Sequence, residues 1–208
     1  IKHGQIHVET IWEECIKIKN KGTNKFLAEI GWREFNHSLI NNFPYMLKKN
    51  YSKKFDKFPW VKNSKFLEAW KKGLTGYPIV DAGMRELHNT GWMHNRVRMI
   101  VGSFLVEHLL INWLEGEKHF RNCLLDYNEA NNVSGWQWVA GCGADAAPYF
   151  RIFNPILQGE KFDRNGEYVR KWVLELKNVP DKFIHKPWEL KNENLIKIGQ
   201  DYPFPIVI

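Results

Sequence analysis

Apolar side chains recur at steps of three and four residues along much of the chain, the spacing that gathers them on one face of an α-helix. Ile11, Cys15 and Ile18 form one such series, and Ile100 and Phe104 begin another. The spacing predicts helices over residues 7–20, 24–42, 64–72, 78–89, 94–113, 116–125, 136–142 and 164–174. No stretch sustains the alternation of apolar and polar residues that is typical of a strand, so we expect few strands.

Turn-forming groups of residues separate these segments, among them GTN, NFPY, LTGYP, NTG, GE and FNP. A proline-containing tail that follows residue 177 is expected to pack as loops. A chain of 208 residues can bury a sizeable core, so the sequence predicts one compact, irregular all-α domain. Because the chain begins on Ile1 and its opening residues read as the interior of a protein, we expect a fragment of a longer protein.

The composition is that of a soluble globular protein, with 44% hydrophobic and 25% charged residues. No apolar run approaches the roughly 18 residues that a membrane helix needs, and no secretory signal is recognisable. Cys15, Cys123 and Cys142 are far apart and odd in number, which favours reduced thiols over a disulfide framework. No CxxC or HExxH spacing suggests a metal site. We therefore expect a monomeric cytoplasmic protein that holds no metal.

Charge and tryptophan content are the two compositional features that suggest a function. The formal net charge of +7 favours a polyanionic partner, because lysine and arginine side chains that neutralise phosphates release counterions. Much of the lysine, however, lies in residues 48–57, which a solvated surface segment explains equally well. The ten tryptophans are several-fold more than an average composition supplies. The chain therefore uses indole rings for a purpose that composition alone does not reveal.

The segment WREFNHSL, residues 32–39, lies on the second predicted helix. Glu29 shares a helical face with Trp32 at a spacing of three residues and with Arg33 at a spacing of four. The simplest interpretation is an intrahelical salt bridge between Glu29 and Arg33, worth a few tenths of a kcal/mol. The alternative is that this face carries functional groups.

The segment WMHNRVRM, residues 92–99, opens a long predicted helix directly after a turn. Asn95, Arg96 and Arg98 bring hydrogen-bonding and cationic groups to a helix N-terminus, where free backbone N–H groups already favour anions. Ordinary helix capping is the simpler explanation, and His94 alone indicates no catalytic role.

The segment DYNEANNVSGWQW, residues 126–138, is polar up to Gly135 and then becomes aromatic. Its asparagines suit a surface loop that caps the next helix. The small and apolar residues that follow favour a different interpretation, in which the asparagines face an interior cavity. Because Trp136 and Trp138 are two residues apart on a helix, their side chains point about 200° from each other. We therefore expect the two rings to have different roles.

Five motifs in this order, WREF, TGYPIVDAGMREL, TGWMHNRVRM, NNVSGWQW and DAAPYFRIFNP, resemble the FAD-binding helical domain of the photolyase and cryptochrome family. The resemblance extends over nearly the whole chain and is nearest to the class I photolyases of cyclobutane pyrimidine dimers. It implies that residues 1–208 are the C-terminal part of the FAD-binding, catalytic helical domain. The α/β domain that would bind an antenna pigment, and the segment that holds the FAD phosphates, would then precede Ile1. We therefore expect this chain alone to bind FAD poorly.

The resemblance also implies which residues bind FAD in its folded, U-shaped form. Arg98 and Asp126 match an ion pair beside the isoalloxazine, and Asn132 matches a residue at its N5 position. Amide and cationic donors suit a reduced, anionic flavin better than carboxylates do. The positions that match cofactor contacts are Phe26, Arg33, Trp92, Asn95, Arg98, Asp126, Asn128 and Asn132.

The resemblance further implies a lesion pocket and an electron relay. UV-damaged DNA would flip its dimer into a cavity whose matching positions are Glu29, Trp32, Asn95, Arg96, Met99 and Trp138. Excited reduced FAD would then give the dimer one electron, which makes the implied enzyme a deoxyribodipyrimidine photo-lyase. Trp32 and Trp138 would stack on the flipped bases, and Glu29 would hydrogen-bond to them. Trp60, Trp113 and Trp136 match the relay that carries electrons to the flavin, and the simpler interpretation of these three is core packing.

Two alternatives remain at this point. The first is a cryptochrome-type blue-light receptor without repair activity. Plant-type receptors tend to carry tyrosine at position 138, to lack the methionine at 99 and to have aspartate at 132, and a receptor is expected to carry a long C-terminal extension. The second is a basic DNA-binding module without a cofactor. The chain departs from the family pattern at Phe26, at Asn128, which replaces a common aspartate, and at Leu174.

Overall fold

The computed structural model describes residues 1, 3–145, 152–190 and 195–207, and in this part the chain is helical with no β-strand. The prediction of an all-α domain with few strands is confirmed. The described part of the tail after residue 177 consists of loops and short 3₁₀ turns, also as predicted. The helices are α1 (Val8–Ile16), α2 (Lys21–Asn42), α3 (Ser64–Lys72), α4 (Pro78–Thr90), α5 (Asn95–Ser103), α6 (Trp113–Cys123), α7 (Glu129–Val139), α8 (Pro155–Phe162) and α9 (Glu167–Trp172).

Asparagine caps explain two differences from the predicted helices. The predicted start of α7 at residue 136 is wrong, because the side chain of Asn128 accepts the backbone N–H of Asn131 at 3.1 Å and starts the helix at Glu129. Helix α8 was not predicted, because Asn-Pro was interpreted as a breaker. Asn154 instead caps α8 and Pro155 occupies its first position, where a proline loses no hydrogen bond.

The helix predicted over residues 94–113 is wrong in its second half. Helix α5 ends at Ser103, and a single π turn, Phe104–His108, follows it. Leu110 then adopts a left-handed backbone conformation with φ of 53°, which a non-glycine residue enters at a cost. Asn112 caps the next helix, so α6 begins at Trp113 and not at residue 116. The helix predicted over residues 64–72 coincides with α3, and the remaining predicted helices overlap the observed ones and differ at one or both ends.

Helix α4 lies at the centre of the core, where it packs against α3, α5, α8 and α9. Its Asp81 is completely buried and accepts hydrogen bonds from the backbone N–H of Thr75 at 2.7 Å, from the backbone N–H of Gly76 at 3.0 Å and from the hydroxyl of Tyr202 at 2.5 Å. Burial raises the pKa of this carboxyl group. The C-terminal segment is thereby attached to the central helix.

Helix α7 packs against α2, α5 and α6. This packing brings together three of the sequence motifs, WREF on α2, HNRVRM at the start of α5 and NNVSGWQW on α7. No helix in the described part of the chain combines the length and the apolar character that crossing a bilayer requires. The thiols of Cys15, Cys123 and Cys142 are free, as predicted.

Candidate functional site

Two adjoining cavities of about 370 and about 460 Å³ lie between α2, α5 and α7. Volumes in this range are typical of small-molecule sites. Both cavities are lined by Glu29, Trp32, Asn95, Asn131, Gly135 and Trp138. Side chains from three separate motifs therefore converge on one place, which is the candidate site.

An ion pair forms part of the wall of the larger cavity. The Arg98 Nη2 atom donates to the Asp126 Oδ2 atom at 2.7 Å, and Arg98 Nε donates to the carbonyl of Met93 at 2.7 Å. The pair that the resemblance implied is therefore present. Two acceptors hold the guanidinium in one orientation, which places a fixed positive charge in the cavity wall.

A buried carboxylate orients Asn132 on the same side of the larger cavity. The amide nitrogen of Asn132 donates to Glu117 Oε1 at 3.2 Å, and Glu117 has only 3% of its surface exposed. Glu117 Oε1 also accepts from Arg121 Nη2 at 3.1 Å and from the Tyr127 hydroxyl at 3.2 Å. Burial, and then the adjacent Glu117 carboxylate, raise the pKa of Tyr127. These contacts fix the direction of the Asn132 amide.

Two further asparagines connect α7 to α2. Asn131 Oδ1 accepts from the amide nitrogen of Asn36 at 3.0 Å. The amide nitrogen of Asn128 contacts His37 Nε2 at 3.1 Å, while its oxygen caps α7. Asn128 lines the larger cavity, but both ends of its amide are engaged within the protein. These bonds set the distance between the two helices that form opposite walls of the site.

Trp32 and Trp138 line both cavities from opposite helices. Trp32 is 48% exposed and packs edge-on against Phe35, with ring centroids 5.7 Å apart. Trp138 is partly buried and packs against Phe153, with ring centroids 6.4 Å apart. The exposed indole of Trp32 and the partly buried indole of Trp138 therefore line the same space from two sides, and a flat group could enter between them.

Gly135 leaves the backbone of α7 uncovered where it lines the two cavities. It lies inside α7, where glycine is roughly 0.5–1 kcal/mol less favourable than alanine. A Cβ atom built at this position would meet no atom of the described chain within 4 Å, and the residue lines both cavities. Packing among the described residues therefore gives no reason for the glycine. A flat, partly apolar group approaching the helix backbone gives one, and the surrounding apolar residues Phe120, Leu124 and Val139 suit a flavin ring.

Several predicted site residues lie elsewhere or make other contacts. The predicted salt bridge between Glu29 and Arg33 is wrong, because Arg33 pairs with the neighbouring Glu34 and Glu29 stays in the cavity wall. Met99 lines the larger cavity and Arg33 the smaller one. Three of the residues predicted to contact the cofactor or the lesion lie outside the described walls of both cavities. These are Phe26 and Trp92, each 47% exposed, and Arg96, whose guanidinium lies 4.8 Å from the centre of the Phe162 ring.

Of the three tryptophans of the predicted relay, one lines the larger cavity and the other two lie at or near the start of α6. Trp136 lines the larger cavity and packs against α6. Trp113 is the first residue of α6 and is 1% exposed. Trp60 is partly buried, and the next residue, Val61, donates its N–H to the carbonyl of Leu110 at 2.8 Å, close to the start of α6. The arrangement is compatible with a relay and also with core packing.

Sequence reasoning missed several residues at the site. Ser134, Gly135 and Tyr127 line the cavities although no role was predicted for them, whereas Asn131 was expected to face a cavity and lines both. Gly135 could have been noticed as a glycine inside a helix. Trp70 was also missed. It is fully buried, its indole N–H donates to the carbonyl of Val101, and its ring centroid lies 6.1 Å from that of Trp136.

Metal chemistry has no support in the described residues, which contain no group of three or more histidine, cysteine, aspartate or glutamate side chains placed to hold an ion. Part of the DAAPYFRIFNP motif, residues 146–151, lies outside the described residues.

Comparison with known proteins yields one consistent family. A family model described as the FAD binding domain of DNA photolyase matches residues 26–208. The chain is 51% identical to a deoxyribodipyrimidine photo-lyase of Agrobacterium fabrum over 98% of this chain and 44% of that protein. The chain therefore spans less than half the length of this curated relative.

Solved structures give the same result. The chain is similar to a bacterial class III photolyase from Agrobacterium tumefaciens, with a TM-score of 0.93 and 50% identity over 100% of this chain and 45% of that one. It is also similar to a cryptochrome of Synechocystis sp. PCC6803, with a TM-score of 0.92 and 37% identity over 98% of this chain and 44% of that one. The first structure is described as class III, whereas the motifs led us to expect class I.

Proposed function

The chain belongs to the family of the FAD binding domain of DNA photolyase, and from that premise we propose that it is the catalytic helical part of a light-driven DNA repair enzyme. Its substrate is the cyclobutane pyrimidine dimer in UV-damaged DNA, and its cofactor is FAD. Bound reduced FAD supplies, on absorbing light, the single electron that opens the cyclobutane ring. The residues of the site bind either the cofactor or the lesion for this electron transfer.

The larger cavity holds the flavin. Arg98 presents a fixed positive charge and Asn132 an oriented amide, and both stabilise an anionic reduced ring. Because Asp126 is paired with Arg98, its carboxylate adds little net negative charge beside the flavin. Gly135 leaves the helix backbone uncovered so that the ring can approach it.

The cavity mouth holds the flipped-out lesion. Trp32 and Trp138 stack on the two pyrimidines, and such stacking is worth about 1–3 kcal/mol per base. That energy offsets the few kcal/mol needed to unstack the bases. Glu29 and Asn95 line the same space and hydrogen-bond to the base edges. The net charge of +7 attracts the DNA backbone.

One observation carries this proposal. Trp32 and Trp138 line the same cavity as the Arg98–Asp126 pair and Asn132. A stacking site for bases and a polar site for an anionic ring therefore share one space, as direct electron transfer from cofactor to lesion requires.

A second candidate is a flavin blue-light receptor without repair activity, favoured by the likeness to the Synechocystis cryptochrome. In that case the larger cavity would still hold FAD, but Trp32 and Trp138 would not clamp a base. The two functions therefore differ in the cavity mouth and agree in the flavin site.

Illumination of dimer-containing DNA with the reduced flavoprotein tests the proposal. The assay uses a protein that carries this chain and has the full length of the relatives, because this chain spans less than half the length of the curated relative. Light should remove the dimers, a dark control should not, and Trp32→Ala should slow the repair while FAD remains bound. A protein that holds FAD and removes no dimers in the light would favour the receptor, and a protein that takes up no FAD would refute both functions.

A further inference from the structure

Gln137 lies between the two tryptophans of NNVSGWQW and is completely buried. Its amide nitrogen donates to the carbonyls of Met46 at 2.8 Å and Lys49 at 3.1 Å, and its oxygen accepts the backbone N–H of Tyr51 at 2.8 Å. Three hydrogen bonds therefore attach the segment of residues 46–51 to α7. This side chain connects the cavity helix to a loop that has no other assigned role.

Asn50 belongs to that attached segment, and its side chain reaches Trp113. Asn50 Oδ1 accepts the indole N–H of Trp113 at 2.9 Å, and Asn50 Nδ2 donates to Asp56 Oδ1, also at 2.9 Å. Trp113 is 1% exposed, so its indole hydrogen faces this amide instead of bulk water. An amide oxygen accepts hydrogen bonds but is not a base at neutral pH.

From this contact we propose that Asn50, held in place by Gln137, is a positioning residue that keeps the proton on Trp113 while an electron passes through the ring. The proposal rests on the proposed function and on the tryptophan relay that the resemblance implies, in which photo-excited oxidised flavin accepts the electron and so becomes the reduced cofactor that repair needs. Trp113 gives one electron to oxidised Trp136 and becomes a radical cation. Its N–H bond stays intact, and one electron from Trp60 restores the neutral indole. No proton moves at Trp113.

The neighbouring carboxylate supports this role. The hydrogen bond from the Asn50 amide to the Asp56 carboxylate is charge-assisted. It polarises the amide and draws electron density toward Oδ1, which strengthens the acceptor that faces the indole. The positive charge on an oxidised Trp113 is therefore stabilised by a neutral dipole that cannot remove the proton.

Replacing the amide by a base should reverse the behaviour. In Asn50→Asp the new carboxylate would face the indole N–H directly and would lie beside the Asp56 carboxylate, which favours its taking up a proton. The oxidised ring would then become a neutral radical. The electron from Trp60 would have to be accompanied by the returning proton, and the transfer would slow.

The first test needs no flavin and observes the Trp113 indole N–H by NMR, with Trp113→Phe to identify the signal. Asn50→Leu should shift the resonance and speed its hydrogen exchange about tenfold, the effect of losing one hydrogen bond. Asn178→Leu, at an exposed position in a distant loop, should leave the signal unchanged. An indole signal that is identical in native protein and Asn50→Leu would overturn the inference.

The second test is transient absorption on the flavin-loaded protein of the relatives' length, with Trp60→Phe to stop the relay at Trp113. With Asn50 in place, the Trp113 radical should remain a cation, and its lifetime should be the same at about pH 6 and about pH 9. In Asn50→Asp it should convert to the neutral radical and live at least about tenfold longer. Asn178→Asp controls for the added charge.

The outcomes separate this inference from the function on which it rests. A Trp113 radical that loses its proton as fast in native protein as in Asn50→Asp would overturn the inference and leave light-driven repair intact. A flavin-loaded protein that forms no tryptophan radical on excitation would overturn the relay and this inference together, while the repair assay would still decide the function.

Discussion

The two faces of helix α7 are built under different constraints. On the core face Trp136 and Gln137 are buried, and the polar atoms of Gln137 are all bonded within the protein. On the cavity face Gly135 and Trp138 leave space between themselves and α2. The contrast teaches where to look for function. Residues whose side chains are fully engaged in contacts within the protein support the site. Residues that line a cavity without such contacts are the ones that face the ligand.

Gly116 and Gly135 express this contrast most clearly. A Cβ atom at Gly116 would lie 2.1 Å from Cη2 of the Trp136 ring, whereas one at Gly135 would meet nothing in the described chain within 4 Å. The first glycine is required by the fold. The second is required only if something outside the described chain occupies the cavity.

The largest expected effect is that of Gly116→Ala, which would break the core face. The methyl group would overlap the buried Trp136 ring, and we expect the free energy of unfolding to fall by about 3 kcal/mol. Urea denaturation measures this change. Gly31→Ala is the control, because Gly31 is exposed and a Cβ atom there would meet nothing in the described chain within 4 Å. A Gly116→Ala protein as stable as the native one would mean that Trp136 does not pack as described.

The next effect separates the two tryptophans of α7. Trp138→Ala should weaken binding of dimer-containing DNA by roughly 10- to 100-fold, since it removes one stacking wall, and should leave FAD in place. Trp136→Phe should impair flavin photoreduction and leave DNA binding nearly unchanged. Gel-shift and photoreduction assays on the two variants check both statements. If Trp138→Ala and Trp136→Phe weakened DNA binding equally, the two faces of α7 would not have different roles.

A titrating carboxyl group in the π turn that follows α5 gives a smaller, pH-dependent effect. Burial raises the pKa of Glu107 to about 7, and the Ser103 hydroxyl that donates to it also accepts the N–H of Phe153, which packs against Trp138. Because the folded-state pKa lies above the unfolded value, the folded protein keeps a proton that the unfolded chain releases. Stability should therefore fall as pH rises from about 4.5 to about 7.

Glu107→Gln should remove this pH dependence. We expect the native protein to lose about 1–2 kcal/mol of unfolding free energy relative to Glu107→Gln between pH 5 and pH 8. Urea denaturation at the two pH values measures the difference, and exposed Glu160→Gln provides the control. Parallel stability curves for native protein and Glu107→Gln would contradict the raised pKa.

The smallest effect belongs to the cavity face. Gly135→Ala should raise the free energy of unfolding of the flavin-free protein by about 0.5–1 kcal/mol, because alanine is the better helix former and nothing in the described chain obstructs it. Thermal denaturation measures the gain. A loss of stability would reveal a protein contact at this position and would weaken the case for a ligand.

Helical periodicity predicted the fold class and the course of α2, α3 and α4, although α2 buries only Ile30 and α4 is buried on almost every side. It failed at α7, where Asn131 and Asn132 are polar because they bond to Asn36 and Glu117 on other helices. A single sequence does not show such partners. It also failed beyond Ser103, because the π turn and the left-handed Leu110 are imposed by tertiary packing.

The part of the candidate site that consists of family motif residues could be predicted from the sequence. The motifs led to the Arg98–Asp126 pair and to Trp32 and Trp138. They did not lead to Gly135, whose importance depends on the empty space above its backbone, or to Asn50, whose contact with Trp113 spans 63 positions of the chain. Both facts belong to three-dimensional packing, and the one local trace that they leave in the sequence is a glycine inside a helix at position 135.

The most direct test of the central claim, that the flavin lies against Gly135, is an FAD titration of a Gly135 series in the protein of the relatives' length. The native protein should bind one FAD, Gly135→Ala should bind about tenfold more weakly, and Gly135→Phe, which fills the cavity, should bind none while remaining folded. Native affinity for FAD in a folded Gly135→Phe protein would contradict the account.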